Sequence, residues 1–540
     1  MNRADLAWPC RARIFFRLAI GVLLLVAIFN LPVHPGDLMP LNFVRLPLEV
    51  PLLLIILAWT SGCSFRAVRL LTVIFTSLVL LLKLADLGTH AAFSRPFNPL
   101  LDAKILHDGW NLLSGTVGLY EAIAIIASAL LCWLFTGVLL HWSLGALRLI
   151  VQRRHLLFAA AAVFAVGLAG NLFARLSNTP DLRADLRLLP FITERMALMR
   201  RSIIDLRIYE AELAHDPLSM LPPAKRLMHL RGMDVIMVFV ESYGASAINA
   251  PPYAPATRWR LQKMQDELAL AGLHAKSSWL LSPTSGGLSW LAHGALLSGT
   301  WTDSQQRYDR LIASERQSLN AIFRESGWRS IAVMPAIVLD WPEAAYFGYE
   351  RVLAAGDLGY EGLPFNWVTM PDQYTLAAFE REERTQSGRP AVFAEIALIS
   401  SHAPWTPVPR VVDWSRVGDG TIFNTQVRAG QSPAAVWADE HTIRDHYIRT
   451  IDYALETLGQ YMARFSENTL FIILGDHQPA QIITGQNATR AVPIHIVAKD
   501  PALLARLSGQ EWTQGLLPAP DPAPRRMDEF REAFVRAFSP

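Results

Sequence analysis

Hydrophobic positions follow two different patterns along this chain. As far as Phe173 they form long unbroken runs, at Ile14–Pro32, Pro47–Ser61, Ala67–Leu87, Tyr120–Trp142 and His155–Phe173. A helix needs roughly 20 apolar residues to cross a hydrocarbon core, so the runs predict five membrane-spanning helices, the second being the shortest. Arg3, Arg11, Arg13 and Arg17 precede the first run, but no small-residue cleavage site follows it, which favours a span over a removable signal peptide. Helical spacing continues in Met196–Tyr209, with Arg and Asp between the apolar residues. Such a helix either lies on a lipid surface or packs on the following domain.

From Met233 the pattern changes to short apolar runs alternating with helical stretches. The runs are Val235–Val240, Ser330–Met334, Val392–Ile399, Leu470–Leu474 and Val492–Val497. Continuous rather than alternating hydrophobicity marks strands buried on both faces, so a mostly parallel sheet flanked by helices is expected. The fold class is therefore a five-helix transmembrane bundle followed by an α/β extracytoplasmic domain. Its expected boundaries are 1–176 for the bundle, 177–231 for an amphipathic linker and 232–515 for the α/β domain. Residues 516–540 form a proline-rich linker, Leu517–Pro524, and a short amphipathic helix, Met527–Phe538, with no function assigned.

Composition agrees with that division. The 540 residues are 52% hydrophobic and only 18% charged, with a mean hydropathy of +0.24, too apolar for an ordinary soluble enzyme. Met1–Arg175 holds 14 Lys+Arg against 7 Asp+Glu, leaving 35 against 40 for the remainder. A basic apolar front and a mildly acidic back describe an anchor and a water-facing domain, and no basic tract points to nucleic acid. Arginine gathers in the N-terminal tail, at Arg66 and Arg69, and at Arg148, Arg153 and Arg154, while the opposite loops hold Arg45, Lys83, Arg95 and Lys104. By the positive-inside bias the N-terminus is cytoplasmic, and an odd number of spans carries the α/β domain to the periplasm of a Gram-negative cell. Cys10, Cys63 and Cys132 all precede the α/β domain, so a disulfide framework, a thiol nucleophile and a zinc–thiolate site are excluded there.

Ligands of open α/β sheets bind beyond the carboxyl ends of the strands. Glu241-Ser-Tyr-Gly244 follows the first run, Ser400-Ser-His-Ala-Pro404 the third, and Gly475-Asp-His-Gln-Pro479 the fourth. Two carboxylates and two imidazoles converging on one edge suit a hard or borderline divalent cation. Singly, each has a plainer reading as a cap, a turn residue or a loop histidine. Between them the turn sequence Ser282-Pro-Thr-Ser-Gly-Gly287 leads into an expected helix at Leu288–Leu297, which places Thr284 or Ser285 at or just before a helix N-terminus. Unpaired N–H groups there favour an anion or an activated hydroxyl; the alternative is a simple N-cap. His274, His293, His441, His446 and His495 follow no metal spacing and read as structural. Trp405, Trp414 and Trp437, after His402, form either an acceptor-binding rim or core packing.

Together these features resemble the alkaline phosphatase and sulfatase superfamily, and within it the membrane-anchored lipoteichoic acid synthase and phosphoglycerol transferase group. The resemblance rests on Val240-Glu-Ser-Tyr243, Pro283-Thr-Ser285, Ser401-His402 and Gly475-Asp-His477, in that order after five spans. It implies one Mn²⁺ or Zn²⁺ held by Glu241, Thr284, Asp476 and His477, with Thr284 as nucleophile and His402 against the transferred phosphate or leaving group. It further implies substrate contacts from Ser285 and Trp341, a phospholipid donor, and a glycan or lipid acceptor of the cell envelope. A histidine expected near Met334 is absent, and Glu343 stands where an arginine is expected, which points away from glycerol phosphate; Glu343 is either a solvated surface residue or a partner for a cationic headgroup such as ethanolamine. The group's phosphoethanolamine transferases usually carry disulfides in the soluble domain, absent here, and Thr284 lacks the C/S-x-P-x-R context of true sulfatases. The expected function is a metal-dependent phosphoglycerol or phosphoethanolamine transferase working through phospho-threonine. The alternatives are a membrane-tethered phosphatase, phosphodiesterase or sulfatase-like hydrolase, and a non-catalytic sensor or scaffold.

Overall fold

The computed structural model describes residues 8–93, 95–99, 102, 109–110, 113–114, 118–150, 153–177, 184–386, 388–486, 488–507, 509, 511–520 and 523–540. Arg3 and Lys104, used in the loop charge balance, and 178–183 of the expected linker lie outside them. The chain divides into two compact units, Met1–Ala91 with Arg95–Ile203, and Ile204–Pro540 with Ala92–Ser94.

The first unit is built from α1 (Trp8–Asn30), α2 (Glu49–Trp59), α3 (Gly62–Phe93), α4 (Leu119–Leu144), α5 (Arg153–Ser177) and the start of α6 (Leu188–Leu213). Among the described residues four helices are long and apolar enough to cross a membrane. The remaining expected span, second in the chain, is α2, whose 11 residues rise only about 16 Å, half of a hydrocarbon core. Charged side chains inside this apolar unit are paired, because an isolated charge there is costly. Lys83 donates to the carbonyls of Phe29 and Leu31, each at 2.7 Å, satisfying the frayed end of α1. Asp86 pairs with Arg195, and Glu49 Oε1 accepts the Leu188 N–H at 2.7 Å.

The second unit centres on a nine-stranded sheet among the described residues. Its strands are β1 (Asp234–Val240), β2 (His274–Leu281), β3 (Arg329–Met334), β4 (Arg351–Ala354), β5 (Val392–Leu398), β6 (Thr469–Gly475), β7 (Ala491–Ala498), β8 (Thr513–Gln514) and β9 (Arg525–Arg526). The spatial order is β8-β2-β7-β6-β1-β5-β3-β4, with β9 added beside β2. The block β6-β1-β5-β3-β4 is parallel, whereas β7 runs antiparallel to both β6 and β2, so the sheet is mixed. Every residue of β1, β6 and β7 is buried, which is why they read as unbroken apolar runs.

Four strands escape the hydrophobic pattern, β2, β4 and the two-residue β8 and β9. β2 has the mixed sequence His-Ala-Lys-Ser-Ser-Trp-Leu-Leu and begins exposed, and β4 is only four residues long at the sheet edge. β2 matters most for the site, because pairing antiparallel to β7 makes it co-directional with β6 and brings Leu281 to the same edge as Val240 and Gly475.

Helices cover both faces. α7 (Ala254–Leu270) packs on α9 (Glu440–Arg464), locked by Arg260, whose Nε and Nη2 donate to Asp452 at 2.6 and 2.7 Å. On the other face lie α8 (Ser289–Ser298) and α10 (Glu529–Ala537). The segment expected to be a proline-rich linker and a short amphipathic helix packs into this core: β9 extends the sheet, and Met527, Phe530, Phe534, Val535 and Phe538 are buried with α8 and the strands. The residues of α6 assigned to this unit dock through Tyr209, whose hydroxyl lies 3.0 and 2.9 Å from those of Thr300 and Thr302.

Candidate functional site

Three adjacent strand ends create the site. β1 stops at Val240, and Ser242 takes a left-handed conformation (φ 57°) that turns the chain sharply and leaves Glu241 at the sheet edge. Neighbouring β6 ends at Gly475, where a Cβ would lie 1.8 Å from the Tyr243 carbonyl oxygen, so only glycine permits the two turns to meet this closely. The Ser242 and His477 N–H groups donate to Asp476 Oδ1 at 2.9 and 2.6 Å. From beneath, Tyr447 of α9 donates its hydroxyl to the Ser242 carbonyl at 3.0 Å.

Glu241, Asp476 and His477 offer ligand atoms within 4.8 Å of one another, all buried. His477 Nδ1 donates to the Gln478 carbonyl at 2.8 Å, which turns Nε2 toward the carboxylates, 3.2 Å from Glu241 Oε1 and 3.7 Å from Asp476 Oδ2. Burial alone would lower the His477 imidazole, but the charges of Asp476 and Glu241 raise it to about 9. Asp476 is pushed up to about 7 by burial and by the charge of Glu241. Burial pushes Glu241 upward too, yet the charge and hydrogen bond of His477 and the Ser242 hydroxyl hold it below the usual carboxylate range. A cluster with this donor set and charge balance is shaped for a cation.

The Thr284 hydroxyl is engaged by a backbone carbonyl: it donates to that of Gly287 at 2.7 Å, closing the turn after β2, and Ser285 pairs with Gln478 through a backbone bridge. The hydroxyl that enters the cluster belongs to Ser289, whose Oγ donates to Glu241 Oε2 at 2.9 Å and lies 3.1 Å from His477 Nε2. Ser289 opens α8, one residue after the expected start, because Leu288 adopts a left-handed conformation (φ 64°). The expectation of a hydroxyl at a helix N-terminus thus points to a serine five residues further on. The available signal was the helix start itself, displaced by a backbone conformation unusual for leucine.

A cavity of about 320 Å³ opens beside Ser289 and borders Glu241, Asp476, His402 and Trp341. His402 lies flat against Trp367, ring centres 3.7 Å apart, with Nδ1 donating to the Ala403 carbonyl at 2.5 Å. Glu343 is elsewhere: it precedes a short helix and borders a separate depression with Pro342 and Tyr346. Besides Glu241 and Asp476, the acidic side chain lining the cavity is Glu395, from the middle of β5, paired with His293 at 2.7 Å. The hydrophobic reading missed both, since Glu395 interrupts a buried strand and His293 follows no metal spacing. Of the three loop tryptophans, Trp405 is buried and stacks on Trp437 at 5.7 Å, while Trp414 packs on Phe465.

No protein-family model matches the chain, and no curated protein does. Similar solved structures include the lipoteichoic acid synthase LtaP of Listeria monocytogenes, at 12% identity over 50% of this chain and 66% of that one, TM-score 0.35. An alkaline phosphatase superfamily protein from Vibrio parahaemolyticus is 14% identical over 62% of this chain and 74% of its own, TM-score 0.38. The periplasmic domain of EcEptC from Escherichia coli, in complex with Zn, is 10% identical over 57% and 83%, TM-score 0.37.

Proposed function

We propose that this protein is a metal-dependent phosphotransferase that removes the phosphorylated headgroup of a phospholipid and passes it to a glycan or lipid acceptor, through phospho-Ser289. The observation that carries this reading is the Ser289 hydroxyl, placed at a helix N-terminus, inside a carboxylate–imidazole cluster and lining a largely apolar cavity.

Glu241, Asp476, His477 and Ser289 would hold one divalent cation, Mn²⁺ or Zn²⁺, in place of the proton that His477 otherwise keeps. When bound, such an ion polarises a phosphoryl oxygen and acidifies a hydroxyl. In the first half-reaction the Ser289 Oγ–P bond forms, the hydroxyl proton is released to solvent, and the P–O bond to diacylglycerol breaks. His402, with Nδ1 held by Ala403, offers Nε2 to protonate the leaving oxygen. In the second half the acceptor hydroxyl returns a proton to His402, attacks phosphorus, and Ser289 recovers its own from solvent. The N-terminal N–H groups of α8 favour the charge that develops at Ser289.

The membrane unit supports action at the periplasmic face of the inner membrane. Arg17 donates to the Trp142 carbonyl at 2.7 Å, and Arg69 and Arg148 both stand 5.6 Å over the Phe65 ring, so the starts of α1 and α3 and the end of α4 share one basic end. α5 begins five residues after Arg148 in the chain and is long enough to cross to the other side. With the basic end cytoplasmic, the chain emerges outside, whichever depth α2 reaches.

Lipid mass spectrometry of the detergent-purified protein with mixed phospholipids and Mn²⁺ tests the reading. Diacylglycerol is expected from the wild type and from Thr284→Ala but not from Ser289→Ala. Loss of turnover in Thr284→Ala with retention in Ser289→Ala would return the nucleophile to Thr284. Many turnovers with free headgroup phosphate as the sole second product, water being the acceptor, would make the protein a hydrolase.

A further inference from the structure

The cavity beside Ser289 has a charge character of its own. None of its described lining residues is Lys or Arg, and its ionisable groups include Glu241, Asp476, Glu395, His293 and His402. The aromatic side chains Trp290, Tyr308, Trp341, Phe347, Tyr349 and Trp367 form much of its wall. A carboxylate within a buried strand is costly unless fully paired, and Glu395 is: it accepts from His293 Nδ1 at 2.7 Å, the Tyr349 hydroxyl at 2.6 Å and Asn320 Nδ2 at 3.2 Å. This arrangement fixes His293. Its ring also lies on Phe239, centres 3.7 Å apart, and it stands one helical turn after Ser289 on α8. With Nδ1 committed to Glu395, Nε2 is the remaining polar atom of a side chain that is 12% exposed and borders the cavity.

We infer that Glu395 and His293 determine donor specificity by selecting a headgroup that bears a primary ammonium. The inference rests on the transferase reading above and deepens it. An ammonium N–H donates to His293 Nε2, the aromatic faces attract its charge, and the negative charge of Glu395 on the far side of His293 compensates it. A glycerol headgroup ends in neutral hydroxyls and gains only the hydrogen bond. A serine headgroup adds a carboxylate that would meet no Lys or Arg in the described lining. A quaternary ammonium keeps the cation–π attraction but has no N–H for Nε2. Glu395 acts through His293 as a positioning residue, whereas His293 touches the headgroup.

Calorimetric binding to the full-length Ser289→Ala protein in detergent with Mn²⁺ separates this inference from the transferase reading. O-phosphoethanolamine should bind about tenfold more tightly than glycerol 1-phosphate, the size of a partly desolvated cation–π and hydrogen-bond preference, with phosphocholine between them and phosphoserine weakest. Adding His293→Ala or Glu395→Gln should abolish the preference while glycerol 1-phosphate binding persists, a retention that shows the site is still folded. In the turnover assay, His293→Ala should raise KM for phosphatidylethanolamine by a larger factor than KM for phosphatidylglycerol, which loses only a hydrogen bond. Equal or tighter binding of glycerol 1-phosphate, or a preference that survives both substitutions, would overturn the inference. Selective binding without any lipid turnover by the wild type would leave it standing and overturn the transferase reading instead.

Discussion

Asp372 illustrates how one buried group sets the geometry of a whole site edge. Its Oδ1 accepts the N–H groups of Ile399 and Ser400 at 3.0 and 2.9 Å, holding the turn that carries Ser401 and His402, while its Oδ2 has no partner. Burial raises its pKa to about 6, against about 3.9 for an unperturbed aspartate. The folded protein therefore binds a proton more tightly than the unfolded chain, so this contribution to stability is complete below about pH 4 and lost as pH rises through about 6. Asp372→Asn keeps an acceptor for both N–H groups and cannot ionise. Its thermal midpoint relative to wild type should rise steadily from pH 4 to pH 7, by the equivalent of up to about 3 kcal/mol; a pH-independent difference would contradict the assignment. At the same scale, Glu241, Asp476 and His477 were legible because each closely follows an apolar run. Ser289 was not, because one left-handed leucine separates it from the turn in which a hydroxyl was sought.

Among the elements, α10 shows most clearly where local patterning falls short. Its short amphipathic sequence carries no sign of where it docks, yet Phe530 and Phe534 enter the core and Arg531 is wholly buried. Arg531 Nη1 and Nη2 donate to Asp216 at 3.0 and 2.6 Å, joining segments 315 residues apart. Removing one partner of a buried pair leaves the other uncompensated, so Arg531→Leu should cost about 3 kcal/mol. Thermal unfolding of the detergent-purified chain should show the midpoint lowered by about 5 °C; an unchanged midpoint would mean the pair is energetically idle. β2 escaped detection for a related reason: its polar first half is an edge-like pattern, stable only because β7, β8 and β9 supply its hydrogen bonds.

For the whole molecule, the proposed periplasmic placement of the α/β domain rests on the basic end shared by α1, α3 and α4. A single cysteine at exposed Ser415, in a chain whose Cys10, Cys63 and Cys132 are replaced by serine, should react with a membrane-impermeant maleimide in intact spheroplasts; reaction only after lysis would reverse the topology. The sequence by itself determined that apolar helices precede an α/β domain, and that two carboxylates and two histidines follow strand-like runs, because burial imposes periodicity and strand ends impose position. Only the tertiary structure decided which hydroxyl meets the carboxylates, that Glu395 rather than Glu343 faces the cavity, and that the last residues complete the core. Those choices depend on β7 running against its neighbours, on single left-handed residues and on contacts between distant segments, none of which leaves a periodic trace in the chain.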